Sequence, residues 1–95
     1  MNVLGFEFDE HNLVHLARHG IAANLVWDVF LGSPRFFVNP PREGRSGSHL
    51  MIGRSSDGRH WTIVMVLVDD AAALWRPITG WPSTVKEVAL WRANE

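Results

Sequence analysis

Two periods of apolar and polar positions succeed one another along the chain, and each change of period marks an element. Val3 to Phe8 alternates and is rich in aromatics, which predicts a short first strand. From Asp9 to Gly20, DEHNLVHLARHG, the spacing becomes helical. At ~100° per residue Leu13, Leu16 and Ala17 fall on one side, while His11, His15 and His19 line the other with Arg18. Asp9 suits the N-cap and Gly20 the left-handed residue that ends a helix. A second helix follows Ile21, where Ala22, Leu25, Val26, Val29 and Phe30 form an apolar stripe that Gly32, Ser33 and Pro34 stop.

The second half reads as strands. Arg35 to Val38 is one, followed by a turn-rich loop from Asn39 to Ser48, and His49 to Arg54 is the next. Asp57-Gly58 is a hairpin signal within Ser55 to Gly58. Trp61 to Val68 is continuously apolar and β-branched, the pattern of a strand covered on both faces, and is expected at the centre of the sheet. After a turn at Asp69 to Ala71, a last strand lies around Leu74 to Thr79. Pro77 has no N–H to give a ladder, so this strand belongs at an edge or carries a bulge there. Thr84 and Glu87 form a capping box ahead of a helix running to about Ala93. The order β-α-α-β-β-β-β-α, without internal repeat, predicts one α+β domain over residues 1–95.

Composition narrows the picture. The 95 residues are 46% hydrophobic with five Trp, enough for one compact core, and Trp27, Trp61, Trp75 and Trp91 are read as core or interface residues. No cysteine is present, so disulfides, thiolate nucleophiles and cysteine zinc sites are excluded. The N-terminus lacks the pattern of a signal peptide, and the longest apolar run is too short to span a bilayer as a helix, which predicts a cytoplasmic protein with no membrane partner. The net charge of -1 is unevenly spread: -3 over residues 1–34, +3 over 35–60 and -1 over 61–95. A polyanion site would therefore draw on the middle segment.

Three motifs in order carry a resemblance. They are F-D-E-H-N-x-x-H-x-x-R-H-G at Phe8 to Gly20, M-I-G-R-S-x-x-G-R at Met51 to Arg59, and R-P-I-T-G-W followed by T-x-x-E-x-x-x-W at Arg76 to Trp91. Together with the element order they resemble the BrnT-like toxins of bacterial toxin-antitoxin systems, part of the RelE-like ribonuclease superfamily. The resemblance implies a curved, mainly antiparallel sheet with helices packed on it. It implies an endoribonuclease that arrests growth by cleaving RNA, neutralised by a cognate protein antitoxin through which the pair forms a DNA-bound operon complex. Trp81 stands where many members have a second Arg, and Arg42 and Arg45 are loose counterparts of charged residues in the family's preceding loop.

Metal-independent RNA cleavage needs a group to take the 2′-hydroxyl proton, a cation on the phosphate and an acid for the leaving oxygen. Imidazoles titrate in the right range and the arginine fork matches phosphate oxygens. The expected catalytic set is His15 or His19 for proton transfer with Arg54 and Arg76 as phosphate holders. Arg18, Arg42, Arg45 and Arg59 are expected to bind RNA. Trp81 is either a base platform, worth roughly 1–3 kcal/mol per stacked base, or an anchor towards a partner. The i, i+4, i+8 histidines also raise a metal site, but no H-E-x-x-H pattern supports it, and the glycines form no phosphate-binding loop, so no cofactor or metal is expected. A rival reading is a toxin-fold module of weak or no catalysis that works through a partner. For the ribonuclease reading to hold, Arg54 and Arg76 must reach the same cleft as the histidines.

Overall fold

The computed structural model describes residues 1–39 and 48–94. Within them the elements are β1 (Gly5–Phe6), α1 (Glu10–Ala17), α2 (Ala23–Leu31), β2 (Arg35–Asn39), β3 (Ser48–Arg54), β4 (His60–Asp69), β5 (Leu74–Pro82) and α3 (Val85–Ala93). The strands form one sheet in the order β1-β5-β4-β3-β2, antiparallel except for the short parallel pair of β1 with β5. The α+β class and the order of elements are those expected from the pattern. The first strand is shorter, pairing only Gly5 and Phe6.

β4 occupies the centre, and its residues Trp61 to Met65 are buried on both faces. On one face Trp61, Ile63 and Met65 pack with Met51, Trp75, Leu16 of α1 and Val26 and Val29 of α2. On the other, α3 is fastened by Trp91, whose ring meets that of His60 edge to face at 4.7 Å and whose Nε1 donates to the Ser33 carbonyl. Three tryptophans thus serve the interior, while Trp27 stays 38% exposed against Phe6 and Phe30.

Pro77 produces the expected irregularity. The register shifts between Val64 and Met65, which pair with Thr79 and Pro77, so Ile78 is an extra residue in β5. Tight packing explains two glycines, the helix stop Gly32 and Gly53 of the second motif. A Cβ on Gly32 would lie 1.8 Å from the Arg54 carbonyl oxygen, and one on Gly53 would lie 2.9 Å from that of Val29, so the end of α2 can close on β3 only without side chains there.

Helix α1 ends as its sequence dictates. Gly20 has φ +75, with its N–H donating to Ala17 and that of Ile21 donating to Leu16 across the reversal. Its buried face is narrower than the apolar spacing suggests. Leu16 is fully buried, but Leu13 is 37% exposed, Ala17 is exposed, and the other buried position is the polar Asn12. The reason is geometric: β1 is so short that α1 sits beside β5 where an edge strand would have continued. Asn12 supplies the missing pairing, its Nδ2 donating to the carbonyls of Pro77 at 2.9 Å and Glu7 at 3.0 Å.

Candidate functional site

An open cleft of about 890 Å³ lies between the outer side of α1 and β5. Asp9, His11, His15 and Arg18 line it from α1 and its caps, and Arg76, Ile78 and Thr79 from β5. Local order puts them there. The capping box of Asp9 with Asn12 fixes the first turn, and the one-turn spacing then points His11, His15 and Arg18 to one side. Bulging at Ile78 turns β5 towards the same space.

Arg76 is held at the cleft's rim by two carboxylates. Its Nη1 donates to Glu7 at 2.8 Å and to Asp9 at 2.9 Å, and its Nη2 donates to the other Asp9 oxygen at 2.9 Å. The Arg76 side chain, 19% exposed, is the least exposed member of the triad. These bonds hold the Asp9 carboxyl down at about 2, the Arg76 contact first and the Asn12 amide second, and they raise the guanidinium above its ordinary value. Of the five guanidinium N–H groups, the ones on Nε and the second on Nη2 are left by these carboxylates.

The two phosphate holders expected from sequence do not meet. Arg76 pairs with Val66 and Arg54 with His60, both on the same side of β4 but six residues apart. At ~3.3 Å per residue that is about 20 Å. Arg54 instead borders a smaller hollow with Ser33, Ser55, Ser56 and Trp91. The condition that both arginines share the histidine cleft fails, because β3 and β5 present them at opposite ends of the sheet.

The remaining expected residues divide in the same way. His19 does not line the cleft, though its ring lies 5.9 Å from that of His15. Arg59 is engaged in the hairpin itself, paired with Asp57 at 3.0 Å and lying 4.8 Å over the Trp61 ring. Trp81 donates from Nε1 to both Glu87 oxygens, at 2.9 and 3.1 Å, and so ties β5 to the capping box of α3. Arg42 and Arg45 lie outside the described residues. No three His, Cys, Asp or Glu side chains gather as metal ligands among the described residues.

Two residues that the expectation missed matter here. Glu7, which shares Arg76 with Asp9, sits just past β1 and carries no sequence signal of its partnership across 69 positions. Asn12 did carry one, since Asp9 and Asn12 have the spacing of a capping box.

Comparison with known proteins identifies no relative: no family model, no curated protein and no solved structure matches the chain. No helix among the described residues is long and apolar enough to cross a membrane.

Proposed function

We propose that the chain is the toxin of a BrnT-like, RelE-like toxin-antitoxin pair, cytoplasmic and neutralised by a protein antitoxin, and that its RNA-cleaving centre is the α1–β5 cleft. Arg54 is absent from that opening, so the four-residue centre expected from sequence is not assembled; what supports the reading is the convergence of His15 and Arg18 from α1 with Arg76 from β5 on one opening, with Arg18 in the phosphate-holding place expected for Arg54. In that centre neutral His15 takes the proton of a 2′-hydroxyl as its oxygen attacks phosphorus. The bond to the 5′-oxygen breaks, and that oxygen takes its proton from water, since His19, the imidazole nearest His15, does not line the cleft. The products are a 2′,3′-cyclic phosphate and a 5′-hydroxyl. Arg18 and the two remaining Arg76 donors hold the phosphate oxygens.

Purified protein freed of antitoxin is expected to cleave RNA, and His15→Ala to slow cleavage by at least ~100-fold with the melting temperature unchanged. Intact RNA and unaffected growth with the wild-type protein would overturn the proposal.

A second reading, a partner-binding module without catalysis, is favoured by the carboxylates already on Arg76 and by Trp81, bound to Glu87, where family members carry Arg. Stable co-purification with the product of a neighbouring reading frame, with no RNA cleavage by the freed protein, selects it.

A further inference from the structure

The positive charge of the middle segment, left over once Arg54 is placed away from the cleft, collects around α3. Arg54 on β3 faces His60 on β4 as a cross-strand pair. The His60 ring packs on Trp91, and the guanidinium of Arg35 from β2 lies 5.3 Å over that same indole. Arg92 follows Trp91 on α3 and acts on His60 together with Arg54. Arg35, Arg54 and Arg92 make no salt bridge with any described residue, in contrast to Arg59 and Arg76. Arg54 and Arg92 are exposed.

His60 reports the field that results. Burial first, and then the charges of Arg54 and Arg92, lower its pKa. Its Nε2 is buried and has no hydrogen-bond partner among the described residues. Asp28 lines the adjoining hollow and accepts from the backbone and hydroxyl of Ser56; its single negative charge leaves the three guanidinium groups with a net positive charge.

We propose that Arg35, Arg54 and Arg92, gathered round Trp91, form an anion site that holds the backbone of single-stranded RNA about 20 Å from the α1–β5 cleft. RNA as the ligand rests on the proposed ribonuclease reading. The distance to the cleft comes from the register of β3, β4 and β5. Both sites lie on the same side of β4, so one strand can bind the cluster while a phosphate several nucleotides away occupies the cleft. Guanidinium groups unneutralised by carboxylates attract a polyanion and release its counterions on contact. The cleft, with Asp9 and Glu10 beside Arg18 and Arg76, has little net charge with which to do so alone. Affinity and chemistry are thereby divided between two ends of the sheet.

The test is fluorescence anisotropy with a labelled 2′-O-methyl RNA of about 16 nucleotides, a length at the upper end of common single-strand sites, in which the attacking hydroxyl is blocked. Full-length wild-type protein is compared with the double variant Arg54→Gln/Arg92→Gln and with His15→Ala. Both arginines are exposed and lack salt bridges, so the double variant is expected to melt with the wild type. The slope of log K against log salt should fall in magnitude by about 1.4 in the double variant, two contacts at ~0.7 each, and remain in His15→Ala. An unchanged slope in the double variant, or wild-type binding to an acidic peptide but not to this RNA, overturns the proposal. Wild-type RNA binding that is lost in the double variant, with no cleavage of unmodified RNA by any form, removes the ribonuclease reading and leaves the anion site standing.

Discussion

Asn12→Ala is expected to be among the most damaging single substitutions that leave the apolar core untouched. Asn12 is 2% exposed and its side chain makes three bonds: it donates to Pro77 O and Glu7 O and accepts from Asp9 N. Truncation leaves the Pro77 carbonyl buried with no partner, at about 1–3 kcal/mol, while the other two groups are partly buried and recover some hydration, at about 0.5 kcal/mol each. The sum is about 3 kcal/mol. For a domain of this size each 1 kcal/mol moves Tm by roughly 4–8 °C, so a fall of about 15 °C is expected by calorimetry or circular dichroism. Asn12→Asp sharpens the test. It keeps the acceptor for the Asp9 amide but sets a carboxylate oxygen against two carbonyl oxygens, so it should cost at least as much as alanine. A shift below about 4 °C for alanine, or an aspartate variant as stable as the wild type, would refute the argument that this amide replaces a strand's pairing along β5.

Three other substitutions test the surrounding geometry. Asp9 has its folded pKa depressed to about 2 from an ordinary 3.8, chiefly by Arg76, so the stability it contributes is present above pH 3.8 and is lost as pH falls towards 2. Arg76→Met should flatten that limb of a stability-against-pH curve measured by urea unfolding, and an unaltered limb would mean that the pair does not couple to folding. Gly32→Ala places a methyl 1.8 Å from the Arg54 carbonyl oxygen, so α2 must move off β3, and a loss of about 2–3 kcal/mol is expected. Gly20→Ala meets no atom within 4 Å and should lose only about 1 kcal/mol, from φ +75 alone.

The elements were legible because their signals are local. Asp9, Gly20, Gly32, Asp57-Gly58 and the Thr84–Glu87 box each act within a few residues, and the structure uses every one. The unbroken apolar run of β4 also sufficed to place it in the middle of the sheet. The candidate site was legible only in part. Helical spacing brings His15 and Arg18 to one side of α1, and Arg76 was recognisable as a charge in an apolar strand. What such a charge faces depends on register, and neither the Glu7–Arg76 bond nor the 20 Å gap to Arg54 leaves a trace in spacing.

The interplay at Arg76 explains why α1 is two-sided in an unexpected way. Its inner side is anchored by an amide as much as by leucine, and its cap residue Asp9 also grips the strand residue whose charge borders the cleft. One carboxylate thus starts the helix, fixes Arg76 and withholds part of its charge from any anionic ligand. Fixing a guanidinium lowers the entropy lost when it binds phosphate, whereas neutralising it lowers the attraction. An enzyme that bound RNA through this cleft alone would suffer from the second effect. On the proposed reading, in which Arg35, Arg54 and Arg92 would hold the backbone, the cleft would need only to orient one phosphate, and a positioned, partly neutralised Arg76 would suit that narrower task.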